Sequence, residues 1–101
     1  MAAEAQPAAI ASMAADAWVY LLRCRDGSLY TGWTTDLERR LARHQAGTAS
    51  RYTASRRPVA LALALPMDSR SAARREEARI KRLPRRAKLE LVARGEPAAR
   101  G

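Results

Sequence analysis

Arg40 and His44 stand four residues apart in the stretch LYTGWTTDLERRLARH, residues 29–44, and both fall on a stripe that should be apolar. Leu37, Leu41 and His44 recur at the i, i+4, i+7 spacing of one helix face, with Arg40 on that same face. Arg39 and Arg43 project well away from it, as ordinary solvated charges do. Two descriptions fit the inward pair. One is an arginine stem snorkelling past the core edge beside a histidine bonded to a backbone carbonyl; the other is an anion-binding guanidinium next to a proton-transfer group.

Two tyrosines add to this set. Tyr20 and Tyr30 flank the turn RDGS, residues 25–28, and share a sheet face only if paired residue numbers sum to an even value. A three-residue loop with Gly27 in the left-handed conformation gives that register, whereas a two-residue Asp-Gly turn puts the tyrosines on opposite faces. Gly32, inside a strand-like run, marks close approach of another group. Further along, Glu76 and Glu77 are the only acids among the eight basic residues from Arg70 to Arg86, and one of them is a candidate metal ligand. Helical geometry puts Glu76 nearer the centre of the Ala72, Ala73, Ile80, Leu83 stripe and Glu77 at its margin. Either acid could equally pair with an arginine one turn away.

The elements that must position these groups follow from pattern. A chain of 101 residues supports one domain with a modest core. WVYLLRC, residues 18–24, reads as a strand, and LYTGW returns as its hairpin partner. Asp36 caps a helix through LERRLARHQA that stops at Gly47. TASRYTASRRP reads as a polar, turn-forming loop. VALALALP, residues 59–66, reads as a third strand buried on both faces. Asp68 or Ser69 starts a second helix, and Pro84 opens a third through RRAKLELVAR. The expected order is ββαβαα, with a loose tail over 1–15, a domain over 16–95 and a frayed end over 96–101. Everything before Met13 lacks pattern, which also allows a start there.

Composition narrows the partners. Nineteen basic residues against ten acidic ones give a formal charge of +9, and all but two of the basic residues are arginine. Arginine forks suit phosphate oxygens, which points to nucleic acid, DNA or RNA. The lone Cys24 rules out an internal disulfide and a cysteine metal quartet, and fits a reducing cytoplasm. The alanine-rich start carries Glu4 and no basic segment, so neither a signal peptide nor a membrane span is readable.

Taken together, VYLL at 19–22, YTG at 30–32, DLERRLARH at 36–44 and EARIK at 77–81 resemble the GIY-YIG nuclease superfamily, and more closely its small single-domain YhbQ-like branch. The resemblance spans residues 18–92. It implies an α+β fold, a three-stranded antiparallel sheet flanked by helices, with phosphodiester hydrolysis at its face using one divalent metal, Mg²⁺ or Mn²⁺. It places the family's functional residues on Tyr20, Tyr30, Gly32, Arg40 and His44, and it selects Glu77 as the metal-holding glutamate. The first motif here reads Trp18-Val19-Tyr20, Thr31 replaces an isoleucine, and Trp33 stands where several relatives that cleave carry a lysine.

The expected mechanism assigns each residue a role. Glu77 holds the cation, Arg40 neutralises the growing charge, and Tyr30 or Tyr20 takes the proton from water. A phenol doing this at neutral pH needs its pKa lowered; failing that, His44 becomes the better base. Arg51, Tyr52, Arg56 and Arg57, with Arg75 and Arg79, are expected to track the nucleic-acid backbone, and Tyr52 or Trp33 to stack on a base. Contacts to phosphate carry little sequence information, so low specificity is expected. For the nuclease that the resemblance implies, the expected setting is DNA repair or recombination, on branched or single-stranded substrates.

Overall fold

The computed structural model describes residues 15–95. Among them, three strands and four helices follow in the order β1 (Ala17–Arg23), β2 (Leu29–Thr34), α1 (Leu37–Ala46), α2 (Arg51–Ala54), β3 (Ala60–Met67), α3 (Arg70–Lys81) and α4 (Arg85–Arg94). The expected tails lie outside the described residues, Ala15 apart, which packs half-buried against the core. The strands form one antiparallel sheet in the order β2-β1-β3.

The hairpin takes the even register. Gly27, at φ 86°, donates its N–H to the Cys24 carbonyl, and Cys24 in turn bonds Ser28. Tyr20 therefore pairs with Gly32 and Leu22 with Tyr30, putting both tyrosines on one face. Asp26 braces the turn by accepting from the Ser28 backbone and hydroxyl.

The sheet separates two apolar layers. On one face Trp18, Tyr20, Leu22 and Ala64 meet Leu37 of α1 and Val59. On the other, Ala17, Val19, Leu21, Leu63 and Leu65 meet Ala73 and Ile80 of α3, with Leu91 and Val92 of α4 behind. Each fully buried large aliphatic side chain contributes roughly 1.5–3 kcal/mol.

Two expectations need correction. The strand buried on both faces along nearly its whole length is β1, because it is central; β3 is an edge strand, fully buried only over Leu63–Leu65. A register shift between Leu21 and Leu22 changes the phase of β3, so Leu61 and Ala64 both reach the layer beneath α1. The polar loop after Gly47 also contains the extra short helix α2, capped by Ser50, whose hydroxyl accepts from the Thr53 N–H. Ser69, rather than Asp68, caps α3 by accepting from the Ala72 N–H.

Candidate active site

Because β2 is an edge strand, residues from the two sides of the sheet can meet around it. A cleft of about 470 Å³ does so, lined by Tyr20, Tyr30, Gly32, Thr34 and Arg40 from the α1 side and Trp33, Arg70 and Glu77 from the α3 side, with Thr35 at the strand end. Gly32 makes the arrangement possible. A methyl group there would lie 2.5 Å from the Tyr20 hydroxyl, so only the missing side chain lets the phenol cross β2 toward the open edge.

Arg40 is half-buried on α1, and its guanidinium makes no hydrogen bond or ion pair with any described residue. Its charge acts on Tyr20 and His44. Glu77 reaches the cleft from α3 with one oxygen 3.3 Å from the exposed Lys81 ammonium. An ion pair with one partner in solvent is worth about 1 kcal/mol or less, so the carboxylate is easily recruited by a stronger cation. Glu76, favoured by the helical wheel, is instead held by a two-pronged contact from Arg79 at 2.9 and 2.7 Å.

No cluster of three His, Cys, Asp or Glu occurs among the described residues. One cleft-facing carboxylate nonetheless suits a hard cation such as Mg²⁺, which commonly takes one or two carboxylates and completes its shell with water and phosphate oxygens. Glu77 is the residue that would hold it.

His44 does not line the cleft. It is fully buried behind Tyr20, with Nε2 2.8 Å from the Tyr20 hydroxyl and Nδ1 2.8 Å from the Thr53 hydroxyl. The Tyr20 and Tyr30 rings both meet its imidazole edge-on, at 5.6 and 5.2 Å between centroids. Burial first, then the Arg40 and Arg43 charges, lowers the His44 pKa to about 4. Both ring nitrogens are engaged, so His44 meets the cleft only through Tyr20.

The expected lowering of the phenol is reversed for Tyr20. Burial pushes it well above the ordinary tyrosine value, Tyr30 and Glu77 add to the rise, and Arg40 only partly offsets it. Tyr20 therefore stays neutral at pH 7 and can act on a proton only if another group takes its own.

The His44 shift predicts a pH dependence of stability. The unfolded histidine titrates near 6.5 and the folded one near 4, so between these values the unfolded chain binds more protons. The full benefit is present above pH 6.5 and falls away toward pH 4, by on the order of 3 kcal/mol. Urea titrations across this window should show the decline in the parent protein and a flatter profile in His44→Gln. An equal decline in both would assign it to other groups.

The remaining expected contacts divide. Gly32 and Trp33 line the cleft. Tyr52 lies beside Tyr30 at 5.9 Å, but the Arg56 guanidinium covers its ring at 3.8 Å, which takes one face from any base. Arg56 also pairs with Asp26 at 3.1 Å. Arg57 donates to the carbonyls of Ala54 and Gln45, and its guanidinium packs over Gly47. Arg51 is exposed on α2. Arg75 and Arg79 lie about 160° around α3 from Glu77, away from the cleft.

The sequence reading missed Arg70, Thr34 and Thr35. Arg70 was available to it: seven residues before Glu77, it shares the glutamate's helix face.

A family model described as the GIY-YIG catalytic domain matches residues 16–90. A UPF0213 protein of Natronomonas pharaonis is 52% identical over 81 residues, covering 80% of this chain and 95% of its own. One from Staphylococcus haemolyticus is 45% identical over 75 residues, covering 74% and 92%. The solution NMR structure of a UPF0213 protein from Bacillus halodurans is 43% identical, with a TM-score of 0.51, over 76% of this chain and 82% of that one. No helix among the described residues is long and apolar enough to cross a membrane.

Proposed function

The chain belongs to the GIY-YIG family, in its small YhbQ-like branch, and from this we propose that it is a divalent-metal-dependent nuclease that hydrolyses DNA phosphodiester bonds with little sequence preference. The observation that carries the reading is the convergence of the Tyr20 phenol, the unpaired Arg40 guanidinium and the Glu77 carboxylate in one cleft. These are the groups that hydrolysis needs: a path for the proton of water, a sink for charge on the phosphorane and an anchor for a cation.

In this reading Tyr20 is the proton acceptor, because among the cleft residues it alone has an imidazole placed to take its proton. Tyr30 shares the wall and positions the phosphate with Arg40. Glu77 would hold the cation, Mg²⁺ or Mn²⁺, which when bound would supply Lewis-acid stabilisation of the charge that grows on the phosphoryl group. Arg70, on the Glu77 side, draws the strand in by its charge. Trp33 offers the stacking surface that Tyr52 offers only in part. Contacts of this kind suit single-stranded or branched DNA met during repair or recombination.

One observation favours a second reading, a nucleic-acid-binding domain with little catalysis: burial raises the Tyr20 phenol instead of lowering it. Labelled single-stranded, duplex and branched DNA, incubated with Mg²⁺, with Mn²⁺ and with a chelator, separates the two. Hydrolysis should require the metal, while binding should survive chelation and weaken steeply with salt. Binding without cleavage of any substrate in either metal would establish the second reading in place of the first. RNA competitors at fixed salt would show which nucleic acid is preferred.

A further inference from the structure

We propose that Thr53 and Ser50 continue the site through the core, forming with Tyr20 and His44 a hydrogen-bonded chain that carries the attacking water's proton from the cleft to the surface at the start of α2. The proposal rests on the nuclease reading of the cleft.

The links are 2.8 Å from the Tyr20 hydroxyl to His44 Nε2, 2.8 Å from Nδ1 to the Thr53 hydroxyl, and 2.9 Å from there to the Ser50 hydroxyl. Tyr20, His44 and Thr53 are at most 1% exposed, whereas Ser50 is only half-buried. The chain is thus dry along its length, open to the cleft at one end and to solvent at the other.

A neutral imidazole carries one donor and one acceptor, and each hydroxyl carries one donor. The Thr53 hydroxyl also lies 3.5 Å from the Ser50 carbonyl, a longer alternative acceptor, and of the arrangements these bonds allow, two order the whole chain in one direction. In the first, Tyr20 donates to Nε2, Nδ1–H to Thr53, Thr53 to Ser50 and Ser50 to solvent, leaving a Tyr20 lone pair facing the cleft. In the second every direction is reversed and the Tyr20 O–H points into the cleft. Passing from the first to the second moves one proton outward with no group left charged.

The step balances. An O–H bond of the attacking water breaks and its proton joins the Tyr20 oxygen. Tyr20's earlier proton goes to Nε2, that of Nδ1 to Thr53, that of Thr53 to Ser50 and that of Ser50 to bulk water. The hydroxide oxygen bonds phosphorus as the bond to the leaving oxygen breaks; the leaving oxygen keeps that bond's electron pair and takes a proton from solvent, matching the one released at Ser50. This suits a phenol and an imidazole that burial keeps neutral. It also gives a function to α2: its cap Ser50 and its buried Thr53 are the two outer links. Thr53 is a positioning residue here, since it reaches the substrate only through His44 and Tyr20.

The tests are Thr53→Val, which keeps the shape and removes the hydroxyl, and Thr53→Ser, which keeps the hydroxyl. The valine protein should lose about 10²-fold in kcat with KM nearly unchanged, and the serine protein should recover most of the loss. Rates in H₂O–D₂O mixtures should curve for the parent protein, as several moving protons require, and become linear in Thr53→Val. ¹⁵N NMR of the parent protein should find the resting His44 ring protonated on Nδ1. Parent-like cleavage by a folded Thr53→Val protein, a linear isotope dependence in the parent, or a resting Nε2–H ring would overturn the chain. The NMR measurement needs no variant, so it decides even if Thr53→Val fails to fold. Absence of cleavage by the parent protein would remove the nuclease reading, and the tautomer would then judge the chain alone: Nδ1–H supports it and Nε2–H overturns it.

Discussion

Arg40→Ala is expected to slow DNA cleavage about 10²–10³-fold while leaving the fold intact and DNA binding only modestly weakened. The guanidinium is half-buried and has no described hydrogen-bond or ion-pair partner, so its removal leaves no buried group unsatisfied. In the proposed reaction its value lies in the transition state, where a phosphorane gains charge beside it. Glu77→Ala should cost at least as much, through loss of the only carboxylate that the described residues bring to the cleft for the proposed cation, and should abolish the metal dependence of whatever rate remains. The Glu77–Lys81 ion pair that this substitution also removes has its lysine in solvent and adds little to stability. Combining the two should cost less than the product of the single effects, because both act on one transition state. Thermal unfolding must first show each variant folded. Variants that cut as fast as the parent would empty the cleft of its proposed role, and loss of binding in parallel with cleavage would make Arg40 a general phosphate contact.

Gly32→Ala is expected to damage stability and activity together. The added methyl would sit 2.5 Å from the Tyr20 oxygen and 2.7 Å from its Cζ. Tyr20 cannot step aside, since it is buried in the layer beneath α1 and bonded to His44. Forced overpacking of this kind costs about 1–3 kcal/mol, and each kcal/mol lowers Tm by about 4–8 °C in a domain of this size. Cleavage should fall further than the stability loss explains, because the phenol must leave its bond to Nε2. Tyr20→Phe provides the control. Added to Gly32→Ala it removes the nearest clashing atom, so it should return part of the lost Tm and none of the activity, a coupling that calorimetry reads as a double-mutant cycle. A Gly32→Ala protein with parent stability would show that the ring moves freely and that Gly32 does not shape the cleft.

Much of the framework was legible because its signals are local. Asp36 and Gly47 bound α1 as read, with Asp36 accepting from the Arg39 N–H and Gly47 at φ 82°. The hydrophobic spacing placed Leu37 and His44 inward on α1, and both are buried. The helix α2 was not legible, because RYTA lacks an apolar period; one turn holds there since Thr53 is buried against His44 and Ser50 caps it. The double burial expected of β3 belongs to β1, because a run of apolar residues does not say which strand will lie in the middle. Arg56 and Arg57 were expected to track a nucleic-acid backbone, and their contacts within the fold were not legible for a similar reason. Their partners, Asp26 and the Gln45 carbonyl, are 30 and 12 residues away in sequence.

Residue type and short spacing were enough to set the three strands, three of the four helices, the Asp36 and Gly47 caps of α1, the excess of arginine and the family, since none of these needs a distant partner. They also narrowed the cleft glutamate to two neighbours. Packing in three dimensions chose the even hairpin register, which sets Tyr20 against Gly32 and brings both tyrosines to one face. It brought Glu77 to the cleft while Arg79 holds Glu76. It also set the direction in which Tyr20 and His44 are shifted. Desolvation is set by everything packed around a group, here a central strand, α1 and the Thr53 turn brought together from distant parts of the chain, and no local spacing encodes that sum.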